Sequence, residues 1–398
     1  MVALKFMTNK KIRVAVLFGG RSGEHEVSLV SASAVIDNLD KEKYEVIPIG
    51  ITKEGRWIAG PESMKLLKSG EVPKESNVEI LAEPSQVPPP NPLLSKGGGT
   101  GNEIESASPP VPRRGLRGGL DVDVIFPVLH GPYGEDGTVQ GFLELTGLPY
   151  VGCGVLASAV AMDKVMQKKV FAAEGLSQVP YVWFWRSEWG QNQEKYILEI
   201  EKLGYPVFVK PANLGSSVGI NKAHNREELL TFIAEASAYD RKVLVEKGVE
   251  NAREIECSVL GNQEVKASLP GEIIPSNEFY DYDAKYVDGK SAAKIPADLT
   301  PDMVKTVQET AIRAFRALSG EGLARVDFFL TEDNKLYVNE ANTMPGFTSI
   351  SMYPKLWEAT GLGYSALLDE LINLALARSQ EKQSLKISYE PKAAWYAV

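Results

Sequence analysis

The chain has 398 residues, 44% apolar and 24% charged, the balance of a soluble globular protein of roughly two to three domains. Its 52 acidic residues outnumber its 43 basic ones, and a formal charge of −9 argues against a partner bound through a nucleic-acid backbone. Two cysteines, Cys153 and Cys257, cannot build a disulfide framework or a zinc cage, and they fit a reducing, cytoplasmic setting.

The N-terminal MVALKFMTNKK lacks the apolar core of a secretory signal. The longest uncharged run, Leu145–Met162, is broken by Gly and Pro and reads as strand, turn and helix start, so no membrane span is expected. Ile12–Phe18 is a continuous apolar run, read as a buried strand. It ends in the Gly-rich GGRSGEHEVS, and a helix is predicted from about Ser28 to Leu39. Tyr44–Ile51 and Val122–Val128 are further strands. The alternation of strand and helix predicts a parallel α/β sheet for this half. Residues 69–119 hold prolines at 73, 84, 88, 89, 90, 92, 109, 110 and 112, and read as an exposed insertion.

Beyond it, Met162–Gly175 reads as one amphipathic helix, Pro206–Lys210 as a strand, 226–236 as a helix, and Val243–Lys247, Glu254–Leu260 and Val265–Ala267 as strands. Residues 276–296 show little periodicity and read as a long loop; Asp302–Leu318 and Tyr364–Ala377 read as helices.

Five stretches carry candidate chemistry. In GGRSGEHEVS the Gly-x-Gly-x-x-Gly dinucleotide fingerprint is absent. Glu24 or Glu26 either satisfies a helix dipole or binds an amine. HGPYGEDGTVQG (130–141) is a shaped loop at a strand's C-terminal edge, where α/β sites form. KPANLGSSVGI (210–220) offers Lys210 and a Gly/Ser turn with Ser216 and Ser217, a set suited to covering a triphosphate. It is not a Walker A loop. Lys164 could approach the same phosphates, the backbone of Glu246 and Lys247 could meet an adenine edge, and Glu254 could take ribose hydroxyls. FYDYDAKY (279–286) suggests a lid, with Lys285 for a phosphate and Tyr286 for a substrate.

The fifth stretch is LARVDFFLTEDNKLYVNEANTMPGFTSISMY, read as a hairpin. Period-two alternation puts Arg325 and Asp327 on one face, and Val338, Glu340 and Asn342 together on one face of the second strand. Asp327, Glu340 and Asn342 then form an all-oxygen cluster suited to magnesium shared with nucleotide phosphates. Arg325 can hold a carboxylate or an oxyanion.

Taken in order, GGRSGEHEVS, HGPYGEDGTVQG, MDK, VKPANLGSSVGI, VEK, FYDYDAKY, GLARVDFF and VNEANTMPGFTSISMYP resemble the D-alanine–D-alanine ligases of the ATP-grasp superfamily, over about residues 11–378. The resemblance implies an α/β fold, α+β in its C-terminal half. An N-terminal α/β domain (1–150) would precede central (151–240) and C-terminal (241–378) ATP-grasp parts, with a lid at 276–296 and a tail at 379–398. It implies ATP as co-substrate, two Mg2+ or Mn2+ ions at Asp327, Glu340 and Asn342, D-alanine as substrate, a homodimer, and a place in cell-wall precursor synthesis. It also implies roles. Glu24 would bind the first ammonium, with Ser216 and Tyr286 linked to it. Lys164, Lys210, Lys285 and Ser217 would lie at the ATP phosphates, Glu246 and Lys247 at adenine, and Glu254 at ribose. Arg325 and the Gly346 N–H would face the oxyanion, Ser351 and Met352 the second substrate's carboxylate, and His130 the first-substrate pocket. Depsipeptide-forming relatives lack the lid tyrosine, so Tyr286 favours an amine nucleophile over D-lactate.

Overall fold

The computed structural model describes residues 10–69, 79–82, 121–274, 292–386 and 389. Lys285 and Tyr286, and most of the lid and of the proline-rich stretch, lie outside them.

The first sheet is built on β1 (Ile12–Gly19), which pairs in parallel with β2 (Tyr44–Ile51) and with β5 (Val124–Pro127). Two short strands, β3 (Trp57–Ala59) and β4 (Glu79–Ala82), extend its edge antiparallel, giving the order β4-β3-β2-β1-β5. The strand β4 falls within the proline-rich stretch 69–119: four residues are enough for backbone pairing on an edge, where proline-rich flanks are tolerated. Between β3 and β4 lies α2 (Ser63–Ser69), also absent from the sequence reading. Helix α1 runs His25–Asn38, so GEHE is the helix start, three residues earlier than expected.

Alternate residues of β1 serve two cores. Val14, Val16 and Phe18 pack with Leu29 and Val35 of α1, while Ala15 and Leu17 pack with Ile49 and with Val139 and Leu143 of α3 (Thr138–Thr146). The first core also takes in Leu367, Leu368, Leu371 and Ile372 of the last helix, far along the chain. Arg378 of that helix fastens the return: it is buried, donates to the Gly152 and Tyr150 carbonyls at 2.6 and 2.8 Å, and stacks on the Tyr150 ring at 4.4 Å.

The helix expected over 162–175 is α5 (Lys164–Ala173), capped by the extended backbone of Asp163; a separate helix, α4 (Val155–Met162), precedes it. The second sheet comprises β6 (Tyr181–Trp185), β7 (Val207–Pro211), β8 (Asn221–Ala223) and β9 (Lys242–Lys247), antiparallel in the order β6-β9-β7-β8. It is backed by α6 (Arg186–Glu201) and α7 (Arg226–Tyr239). The third contains β10 (Arg253–Gly261), β11 (Lys266–Ala267), β12 (Gly271–Ile274), β13 (Ala292–Lys294), β14 (Gly322–Leu330) and β15 (Leu336–Asn342), in the order β13-β12-β10-β14-β15 with β11 beside β10. Residues 292–294, read as loop, are therefore an edge strand; AAK is too short and too poor in β-branched residues to declare itself. Helix α8 (Pro301–Ala317), capped by Thr300, covers this sheet. Helices α9 (Met352–Ala359) and α10 (Tyr364–Gln383) follow, the last six residues longer than expected.

Among the described residues no helix is long and apolar enough to cross a membrane.

Candidate active site

The three sheets present the chemistry-bearing loops to one another. Glu24 occupies the N-cap position of α1, but its side chain makes no cap bond. It is 7% exposed, and its carboxylate accepts the Ser216 hydroxyl from the turn after β7. A Cβ on Gly131 would overlap Glu24 Oε2, and one on Gly215 would stand 3.0 Å from it, so two loops close on this carboxylate only because both residues are glycine. Ser22 pins the first loop, its Oγ donating to the His130 carbonyl at 2.7 Å and accepting from Glu24 N–H at 3.2 Å. Of the two acids, Glu26 is an exposed partner of Lys53 at 2.6 Å, while Glu24 faces inward.

His130 is buried between halves of the chain. Its Nδ1 lies 3.1 Å from the Met344 carbonyl, which only accepts, so Nδ1 carries the proton and Nε2 accepts from Ser31 Oγ at 3.1 Å. Ser31 in turn accepts the Phe347 N–H at 3.3 Å. Burial lowers the imidazole pKa against the opposing pull of Glu24, in keeping with a neutral ring. Glu135, which the sequence reading did not single out, has a half-buried carboxyl accepting the Gly131 N–H at 2.7 Å. Burial, then the charge of Glu24, pushes its pKa well above the usual carboxylate range.

The MDK segment has a local logic. Asp163 caps α5 through Val165 and Met166 N–H and pairs with Lys242, which aims the next residue, Lys164, into the cleft. Lys164 Nζ donates to the Leu214 carbonyl at 3.0 Å and pairs with Glu340 at 3.0 Å. Burial works against its charge, but Glu340 outweighs this and raises its pKa. One turn on, Lys168 pairs with Glu246 Oε1 at 2.5 Å, and Lys210 takes Oε2 at 2.5 Å. Burial alone would raise the Glu246 pKa; the two ammonium groups overcome it and hold it at about 2. In the Gly/Ser turn, Ser216 and Ser217 have φ of 48° and 58°, a left-handed conformation uncommon for residues with a side chain and a sign of a loop held in shape by its surroundings. Lys247 gives its N–H to the Pro180 carbonyl at 2.9 Å and its Nζ to that of Leu203 at 2.6 Å. Glu254 is half-buried on β10, its Cα opposite Ile273 and Phe329.

The expected hairpin is β14–β15, and its register sets Asp327 against Glu340 and Arg325 against Asn342. One expectation fails. A bulge leaves Asn339 unpaired, Phe328 faces Val338, and Val338 joins the apolar core instead of sharing the face of Glu340 and Asn342. The extra residue is what turns the two carboxylates and the amide to one side. Arg325 grips Asp327 with two bonds, 2.7 and 2.6 Å, and reaches Glu256 at 3.1 Å; Asn342 Nδ2 donates to Asp327 Oδ2 at 3.0 Å. Burial opposes the guanidinium charge, but Asp327 and Glu256 raise its pKa well above the usual value. Glu256 was missed because its neighbours in EIECSVL read only as strand. Among the described residues no three His, Cys, Asp or Glu side chains gather as a metal site; this cluster offers two carboxylates and an amide, hard donors that leave coordination positions for phosphate oxygens.

At the far wall, a Cβ on Gly346 would meet Ser351 Oγ at 2.7 Å, and that hydroxyl accepts Thr348 N–H at 3.0 Å. The Met352 side chain packs in an apolar cluster with Ile273 and Leu356. Contacts thus join Glu24 to Ser216, Lys164 to Glu340, Lys210 to Glu246, and Arg325 to Asp327 and Asn342.

Known proteins resemble this chain in sequence and in fold. Family models described as D-ala D-ala ligase N-terminus and D-ala D-ala ligase C-terminus match residues 13–153 and 170–373. The D-alanine–D-alanine ligase of Natranaerobius thermophilus is 53% identical over 94% of this chain and 97% of its own, and that of Heliobacterium modesticaldum is 52% identical over the same shares. Among solved structures, the D-alanine–D-alanine ligase from Coxiella burnetii superposes with a TM-score of 0.73 at 37% identity, covering 94% of this chain and 96% of that one. The VanG D-Ala:D-Ser ligase from Enterococcus faecalis gives 0.72 at 36% identity, covering 92% and 100%. Matched through both halves and over nearly its whole length, the chain belongs to the D-alanine–D-alanine ligase family, with the ATP-grasp fold.

Proposed function

We propose that the protein joins two D-alanine molecules at the expense of ATP, through a D-alanyl phosphate, releasing ADP, phosphate and the dipeptide used in peptidoglycan precursors. The observation that carries this reading is the inward-turned Glu24, an anion held between glycine loops and bonded to Ser216, across the cleft from a lysine- and acid-lined phosphate site. An amine-bearing substrate gains a charge-assisted bond there that a neutral one does not.

Phosphoryl transfer to a carboxylate needs charge neutralisation and alignment more than covalent participation by the protein. Asp327, Glu340 and Asn342 fit two Mg2+ or Mn2+ ions, and the bound metal would supply positive charge beside the transferring group. Lys164, paired with Glu340 here, would hold a phosphate oxygen when the nucleotide is bound, leaving the Glu340 carboxylate to hold a cation. Lys210 and Ser217 hold the phosphate tail. Lys285 adds a further cation, and Glu246, Lys247 and Glu254 form the nucleoside end. Arg325 and the Gly346 N–H receive the oxyanion made when the second amine attacks. Ser351 and the backbone of Met352 receive the second carboxylate, and His130 shapes the first pocket as a neutral ring. Tyr286, outside the described residues, would by the family resemblance act with Glu24 and Ser216 to keep water from the acyl phosphate. A cytoplasmic homodimer completes the reading.

Incubation with ATP and equimolar D-alanine, D-serine and D-lactate, followed by mass analysis, tests the acceptor. D-Alanyl-D-alanine should dominate; a predominance of the D-serine or D-lactate product would refute the assignment of the second site.

A further inference from the structure

We propose that Lys168 is a positioning residue for ATP: by neutralising Glu246 from behind, it leaves the charge of Lys210 available to the nucleotide. The proposal rests on the placement of Lys210 at the phosphates.

Lys168, on the first turn of α5 after Lys164, is 1% exposed and cannot itself reach a ligand, whereas Lys210 keeps 8%. Both hold the same carboxylate, one oxygen each, at 2.5 Å. The Lys168 ammonium also lies 5.4 Å from the Tyr181 ring, a second favourable contact for a cation out of water. A buried carboxylate between two ammonium groups leaves the trio with one net positive charge. Remove Lys168 and the trio is neutral, with Glu246 holding Lys210 alone and competing with phosphate for it. The cost of burying Lys168 is otherwise unexplained, because a single ammonium would satisfy Glu246. Lys168 therefore acts through Lys210, one side chain removed from the substrate.

The test is a double-mutant cycle read by titration calorimetry with MgATP and by steady-state kinetics. Lys168→Met should weaken MgATP binding and raise its KM about tenfold, with kcat changed far less, and Lys168→Arg should restore both. In Lys168→Met/Glu246→Gln the competing anion is gone while the backbone of residue 246, the part assigned to the adenine edge, is kept, so Lys210 is free for phosphate and MgATP affinity returns toward the wild-type value. The double variant buries no carboxylate and carries the test even where Lys168→Met fails to fold. Additive losses in the double variant, or an unchanged ATP KM in Lys168→Met, would overturn the proposal. Wild-type protein that forms no ADP in response to D-alanine would sink the underlying assignment instead.

Discussion

Replacing Gly131 by Ala tests how the ammonium site is held. Gly131 has φ of 75°, so a side chain there costs about 1–2 kcal/mol of backbone strain wherever it points. Here it also points at Glu24 Oε2, which must move by about 1 Å to clear ordinary contact distance. Displacement of that order at a binding group lowers kcat/KM about a hundredfold. The control is Gly147→Ala. Gly147 closes α3 with φ of 68°, and nothing lies within 4 Å of the Cβ it would gain. Both variants should lose similar stability in denaturant titrations. Only Gly131→Ala should lose D-alanine kcat/KM in a coupled ADP-release assay, while its ATP KM stays near wild type. Equal kinetic effects from the two substitutions would refute the argument that Gly131 is there to seat Glu24.

Three further outcomes are expected. Ser216→Ala removes a hydrogen bond to a buried carboxylate, worth about 1.5–3 kcal/mol, so D-alanine kcat/KM should drop roughly 10–100-fold; an unaltered value would show that the bond is not used. Glu340→Gln should raise the magnesium concentration for half-maximal rate at least about tenfold, and an unchanged titration would remove Glu340 from the metal site. His130 has a folded-state pKa depressed below its ordinary value of about 6.5. Its contribution to stability is therefore complete above about pH 6.5 and declines as pH falls toward the folded value. Thermal melts across that range should fall more steeply for wild type than for His130→Gln; parallel curves would show that the ring does not titrate as argued.

Much of this site was legible because its residues sit where backbone geometry is written in the chain. The strands β1, β2, β14 and β15 announce themselves as apolar or alternating runs, and the glycines of the two loops against Glu24 mark enforced turns. What was not legible depends on tertiary contacts. The bulge at Asn339 carries no glycine to flag it, and only pairing with Phe328 reveals that Val338 turns away from Glu340. Glu135, Glu256 and Lys168 look like ordinary charges until folding sets them, wholly or partly out of water, beside Gly131, Arg325 and Glu246. The spacing of Lys168 four residues after Lys164 placed both on one helix face, a signal that gains meaning only once the helix is known to start at Lys164. The end of the last helix was underestimated because its polar residues after Ala377 give no apolar stripe, although Arg378 among them ties the helix to the first sheet.

ADP release from ATP, followed with D-alanine, with L-alanine and with no amino acid, tests the central assignment most directly. Turnover that requires the D-enantiomer and yields one D-alanyl-D-alanine per ADP is the result predicted. Equal turnover in all three reactions, or none in any, would contradict it.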